Sequence, residues 1–240
     1  MKLLVIPDIH NKWEIAEKII AKEQIEDIVF LGDYFDSYDD DPVIARKTAL
    51  WLKASLAIKG RIHLWGNHDL AYFSANMHAE CPGHDGIKQL LVSEVLQYKH
   101  WSKLRFFYFN KGWLFTHAGL HRNWVRDLPL DALPDFLQRQ SCLCHRALAE
   151  KHVHHWFMTR SDLRGGSQFV RYGGILWCDH FEFVPITGVK QIFGHTTIHQ
   201  VGNDFARLRI GETDNFVLDT GLNHYGVIHD NGELEVKRYE

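Results

Sequence analysis

Short apolar runs and amphipathic stretches take turns along the first half of this 240-residue chain. Leu3-Leu4-Val5-Ile6, Ile28-Val29-Phe30-Leu31, Ile62-His63-Leu64-Trp65 and Leu114-Phe115-Thr116 are nearly unbroken apolar runs, the pattern of strands covered on both faces. Between them the spacing turns helical. Trp13, Ala16, Ile19 and Ile20 share a face behind Asn11, a residue suited to an N-cap. A second helix is predicted from Pro42 to Ile58, with Pro42 in its first turn. A third is predicted from Gly86 to Trp101, with Ile87, Leu90, Leu91, Val95 and Trp101 at helical spacing. Such alternation predicts a largely parallel sheet with helices on its faces, in which ligands bind beyond the carboxyl ends of the strands.

Residues 120–174 are less regular, with Pro129, Pro134, Gly165-Gly166 and Gly173-Gly174. A helical insertion over Asp131 to Met158, lying across the mouth of a site, is the expectation here. Strand-like segments then return at Gln191–Phe193, Asn215–Asp219, Tyr225–His229 and Leu234–Tyr239. Asp230-Asn231-Gly232 joins the last two as a hairpin turn. This end predicts a second, partly antiparallel sheet. There is no linker, repeat or low-complexity segment, so one domain over 1–240 is expected.

Five polar motifs follow these apolar runs: Asp8-Ile9-His10, Gly32-Asp33-Tyr34-Phe35-Asp36, Gly66-Asn67-His68-Asp69, His117-Ala118-Gly119 and Gly194-His195-Thr196. At an extended strand end, positions i and i+2 point to the same side, so Asp8 and His10 can meet one metal. Asp33 offers a carboxylate able to bridge two ions, Asn67 an amide oxygen, and His117 and His195 imidazoles. Mixed oxygen and nitrogen donors suit Mn²⁺, Fe or Zn²⁺ better than Ca²⁺ or Mg²⁺, with Mn²⁺ the first expectation. Two such ions polarise a phosphoryl group and hold a bridging hydroxide for in-line attack. His68 is the candidate general acid, oriented by Asp36 or Asp69. Tyr34, Phe35, Tyr38, Tyr72 and Phe73 are the aromatic residues available near these motifs to stack a base, or to fill the core.

Composition narrows the alternatives. A formal charge of −3 with no dense basic stripe gives no nucleic-acid signal. Asp39-Asp40-Asp41 is expected to be a solvated loop. Cys81, Cys142, Cys144 and Cys178 show no framework spacing, and Cys142-Leu143-Cys144-His145 lacks the second half of a structural zinc site. Histidines outside the motifs, such as His78, His84, His152, His154 and His155, are expected on polar surface. Met1–Pro7 is too short for a signal-peptide core and no stretch is long enough to span a bilayer, so a cytoplasmic enzyme is expected.

The motif order resembles the calcineurin-like metallophosphoesterase superfamily, and more closely its phosphoprotein-phosphatase branch, from Asp8 to about Gly221. The resemblance implies an α/β fold, a four-layer α/β/β/α sandwich with mixed sheets. It implies a dinuclear centre in which Asp8 and His10 bind the first metal, Asp33 bridges, and Asn67, His117 and His195 bind the second. His68 is then the acid, with Asp36 as its partner. Ser37 stands where that branch has a phosphate-clamping arginine, and no arginine follows Leu176-Trp177-Cys178-Asp179 before His195. Arg122, Arg160, Arg164 and Arg171 are the candidate replacements. Thr197 stands where wider members carry a second histidine. Gly66-Asn67-His68-Asp69-Leu70 and Thr116-His117-Ala118-Gly119 with Trp124 are also similar to symmetrical diadenosine tetraphosphatases. The expected activity is metal-dependent phosphoester hydrolysis of a phosphorylated small molecule or phosphoprotein. Nucleotide phosphohydrolase or phosphodiesterase activity is the alternative, and a non-catalytic scaffold is disfavoured because His68 and every expected ligand are present.

Overall fold

A computed structural model describes residues 1–37, 40–73, 81–150, 152 and 154–239. Tyr38, Asp39 and His78 lie outside the described residues. The chain forms two compact units, one of residues 1–105 with 221–240 and one of 106–220.

The first unit is built on a five-stranded mixed sheet in the order β3-β2-β1-β8-β9. Strands β1 (Leu3–Ile6), β2 (Ile28–Phe30) and β3 (Arg61–His63) run parallel, as their apolar runs predict. The C-terminal hairpin of β8 (His224–Ile228) and β9 (Leu234–Arg238) adds antiparallel to β1. Helix α1 (Trp13–Glu23) buries Ala16 and Ile19. Its N-cap position is Lys12, not Asn11. Asn11 instead adopts a left-handed φ of 63°, donates to Asp40 and accepts from the Thr48 hydroxyl at 2.8 Å. Helix α2 (Pro42–Ser55) begins at its proline, as expected, and buries Ala45, Thr48, Ala49 and Leu52. Asp41 caps it by accepting from the Val43 N–H at 2.8 Å, and Asp40 binds Lys88. Asp40 and Asp41 are therefore not merely part of a solvated loop.

Two expectations change in this unit. Asn67 to Phe73 forms a short helix, α3, directly after β3. The single helix predicted from Gly86 to Trp101 is two, α4 (Gly86–Ser93) and α5 (Tyr98–Trp101). Leu96 closes the end of α4 onto the Val92 carbonyl, and Gln97 with His100 forms a capping box that starts α5. Trp101 stacks on Trp65 with ring centroids 5.4 Å apart.

The second unit carries a four-stranded mixed sheet in the order β4-β5-β6-β7. Strand β4 (Phe107–Asn110) was not expected. It pairs antiparallel with β5 (Trp113–Thr116) through a tight turn at Lys111 and Gly112. Strands β6 (Lys190–Phe193) and β7 (Asn215–Val217) then run parallel to β5. The fourth apolar run thus belongs to a different sheet from the first three, and the C-terminal strands divide between the two sheets. The expected helical segment contains α6 (Leu133–Ala149) and a 3₁₀ turn at Trp156–Met158. Helix α6 buries Leu133, Leu137, Ser141, Cys144 and Leu148 along one stripe and packs on β4. Among the described residues, no helix is long and apolar enough to cross a membrane.

Candidate metal centre

Each motif begins where its strand ends. In the first unit the loops after β1 and β2 are tied together through the backbone. Ile9 and His10 both donate to the Asp33 carbonyl, at 3.0 and 2.8 Å, and Asn11 donates to that of Tyr34 at 2.9 Å. His10, Asp33 and Asp36 hold φ values of 42°, 49° and 63°. Left-handed conformations are costly for such residues and persist only where surrounding bonds over-determine them. Gly32 and Gly66 allow the loops after β2 and β3 to meet. A Cβ on Gly32 would lie 2.6 Å from the Gly66 nitrogen, and one on Gly66 would overlap the Asp33 carboxylate.

These constraints bring Asp8, His10 and Asp33 together, with a ligand atom of each within 4.8 Å of the others. Both carboxylates are buried, at 1% and 2% exposure. His10 Nδ1 lies 3.0 Å from the Phe35 carbonyl. Donation there leaves the lone pair on Nε2, which lies 3.7 Å from Asp33 Oδ2. Two buried carboxylates beside an imidazole form a donor set that a divalent cation fits, because it offsets repulsion that burial would otherwise make severe.

Asn67 opens α3 with its side chain buried. Its amide nitrogen reaches Cys81 Sγ at 3.5 Å, and the thiol in turn reaches the Asn67 carbonyl at 3.4 Å. Cys81 therefore orients the amide so that its oxygen faces away from the sulfur. His68 donates its backbone N–H to Asp33 Oδ1 at 2.9 Å. Its ring stands edge-on to His10 with centroids 5.3 Å apart, and its Nδ1 lies 3.0 Å from Asp36 Oδ2. Burial disfavours the charged ring, but the carboxylates of Asp33, Asp36 and Asp69 outweigh burial and raise its pKa.

Asp69 has a different task. It accepts from the backbone N–H groups of Asp33, Tyr34 and Gly66 at 3.0, 2.9 and 2.8 Å, which locks two motif loops to each other. Burial and then the Asp33 carboxylate push its pKa up, while the N–H donors oppose them. Tyr34, Phe35 and Tyr72 are 0–2% exposed, and Tyr34 hydrogen-bonds the Leu64 carbonyl. They are core residues, which removes the idea that they stack a base.

In the second unit, His117 follows β5 and His195 follows β6. Their rings meet edge-on with centroids 5.1 Å apart. Gly194 N–H donates to the His117 carbonyl at 2.7 Å, fixing the two loops. His195 takes a left-handed φ of 70°. Trp177 meets its ring edge-on at 5.8 Å, and the Arg160 guanidinium lies 4.1 Å over the Trp177 ring centroid. Arg164 instead pairs with Asp179 at 2.7 Å and donates to Thr196 Oγ1 at 2.8 Å. The Thr197 hydroxyl donates to Asp219 at 2.5 Å.

A family model described as calcineurin-like phosphoesterase matches residues 1–199. The chain belongs to that family. It is a phosphoester hydrolase, and the family's use of two divalent metals accords with the donor groups described above. No curated protein matches the chain. Among solved structures, a cold-active protein-tyrosine phosphatase of a psychrophilic Shewanella species is 14% identical with a TM-score of 0.59, over 98% of this chain and 80% of that one. A protein serine/threonine phosphatase from Saccharomyces cerevisiae is 15% identical with a TM-score of 0.53, over 100% and 80%. A putative diadenosine tetraphosphatase is 14% identical with a TM-score of 0.51, over 99% and 93%. At these identities the likeness is one of fold.

Proposed function

We propose that this phosphoesterase is a dinuclear-metal phosphomonoesterase acting on a phosphoprotein or a small phosphorylated compound, with His68 as general acid. The observation that carries the reading is the convergence of Asp8, His10 and Asp33 beside the His68–Asp36 pair. Asp8, His10 and Asp33 would hold one ion, and Asp33, Asn67, His117 and His195 the other. Oxygen and nitrogen donors in this mixture favour Mn²⁺, with Fe or Zn²⁺ next. When bound, such ions supply Lewis acidity toward the phosphoryl oxygens and make water a stronger nucleophile.

The remaining chemistry belongs to the side chains. With Nδ1–H donated to Asp36, the protonated His68 ring has Nε2–H available for the leaving-group oxygen. That proton passes to the oxygen as the P–O bond breaks, so the alcohol leaves neutral. The Asp36 carboxylate 3.0 Å from Nδ1 supports this role, since it favours the protonated form. Asp36 holds the ring and stabilises its charge.

The test is hydrolysis of phenyl phosphate by the purified chain with Mn²⁺, alongside the His68→Ala variant. Loss of a general acid lowers kcat by about 10²- to 10⁴-fold, while bound metal per chain should change little. Full metal loading with no phosphoester cleaved by the unaltered protein would end the proposal. Motif likeness to symmetrical diadenosine tetraphosphatases keeps a nucleotide reading as the alternative. Comparing phosphate release from diadenosine tetraphosphate, cyclic nucleotides and phosphopeptides separates the two.

A further inference from the structure

Lys88 is a buried cation in the first turn of α4, 4% exposed. Burying an ammonium group costs several kcal/mol unless it is paired and hydrogen-bonded. Here its Nζ donates to Asp40 Oδ1 at 2.6 Å and to the Gly83 carbonyl at 2.7 Å. It also stands 3.8 Å from Asp36 Oδ1 and 4.0 Å from Asp85 Oδ2. Asp85 itself caps α4 by accepting from the Ile87 and Lys88 N–H groups, at 2.8 and 2.9 Å. Lys88 thus gathers the segment after the second motif, the turn at Gly83 and the start of α4 around one carboxylate, that of Asp36.

The buried Tyr72 hydroxyl, from α3, donates to the same Asp36 Oδ1. Burial and then the Asp36 charge push the Tyr72 phenol well above its ordinary pKa, so it remains a donor. Gly83 packs under the Asp36 side chain, where an added Cβ would lie 3.0 Å from Asp36 Cβ. Asp36 sits in a left-handed conformation that needs such support. One oxygen of its carboxylate is held by Tyr72 with Lys88 behind it, and the other faces His68 Nδ1.

We infer that Lys88 and Tyr72 are positioning residues for proton transfer: by fixing Oδ1 of Asp36 they aim its Oδ2 at His68 and set the ring angle from which the leaving group is protonated. The inference rests on the general-acid role proposed above for His68. Neither residue is placed to touch substrate or metal; both act through Asp36.

Leaving-group chemistry separates this role from a structural one. Nitrophenolate departs without needing a proton, whereas phenolate needs one. With Mn²⁺-loaded full chain at saturating substrate, Lys88→Met and Tyr72→Phe should each lower kcat on phenyl phosphate about tenfold. On p-nitrophenyl phosphate the loss should stay under about twofold, with KM and bound metal unchanged. His68→Ala should show the same selectivity more strongly. Equal losses on both substrates, or losses that track metal content or thermal stability, would overturn the inference. So would retention of full activity on phenyl phosphate by both variants. Should Lys88→Met fail to fold, Tyr72→Phe, which deletes one oxygen, carries the test alone. If His68→Ala is selective and the other two are not, only the positioning role falls. If His68→Ala shows no selectivity, the general-acid role and this inference fall together.

Discussion

Ser37 leaves the second motif without the arginine that would grip a phosphate. Among the replacements, Arg164 is engaged by Asp179 and Thr196, whereas the Arg160 guanidinium lies 4.1 Å from the ring centroid of Trp177, whose ring meets His195 edge-on. A guanidinium held on that ring adds positive charge beside His195, which attracts a phosphate. Arg160→Met should therefore raise KM for phenyl phosphate about tenfold, the size of one charge-assisted hydrogen bond. An unchanged KM in steady-state assays would assign the grip elsewhere. The residue scale also separates Asp36 from Asp69. Each is a short-range neighbour of His68 by sequence or motif, but Asp69 is consumed by three backbone N–H groups while Asp36 faces the ring. No periodicity distinguishes two aspartates of the same motif set. Cys81 and Lys88 were equally hidden, since their targets, Asn67 and Asp36, are remote in sequence.

At the scale of elements, the apolar runs predicted β1, β2 and β5 well because strands buried on both faces leave a strong hydrophobic signal; β3 is half-buried at Arg61 and Ile62 and starts one residue before its run. The helical spacing after Gly86 continued smoothly through a break. Val95 and Trp101 are buried, but Ile87 and Leu90 are 64% and 61% exposed, so the apolar spacing showed neither the buried face of α4 nor the turn of the backbone between α4 and α5. Strand ends also depend on glycine at close approaches. Gly66→Ala would drive a Cβ into the Asp33 carboxylate and displace the proposed bridging ligand. The variant should keep its far-ultraviolet circular dichroism yet lose Mn²⁺ affinity about 10- to 100-fold, as for disruption of a ligand's support. Calorimetric titration with Mn²⁺ checks it, and wild-type affinity would show that the loop yields instead.

For the whole molecule, acid is the expected weakness. His63 is buried between the Ser55 and Tyr34 hydroxyls and stacks on Phe30. Burial, and secondarily the Arg61 charge, lower its pKa to about 3. Burial likewise brings His155 to about 4 and lowers His121 and His145. Below about pH 6.5 the unfolded chain takes up protons that these folded sites refuse. Their stabilising effect is complete above the unfolded pKa and is lost as pH falls toward the folded values. His63 alone contributes a slope on the order of 1 kcal/mol per pH unit. Unfolding free energy from urea titrations should fall between pH 7 and pH 4.5, and His63→Asn should flatten part of that fall. A constant free energy across this range would refute the assignment.

Local pattern marked β1, β2, β5, α1 and α2, though not β4, α3 or the break between α4 and α5, and it put every proposed ligand just past a strand. Those features depend on neighbours a few residues away. Tertiary structure alone decided that three apolar runs share one sheet while the fourth joins another, and that the C-terminal hairpin returns to β1. It alone gave Asp69 to three backbone N–H groups and turned Tyr34, Phe35 and Tyr72 into core. Strand pairing, burial and hydrogen-bond partners are set by which distant segments meet, and a hydrophobic period carries no record of the meeting.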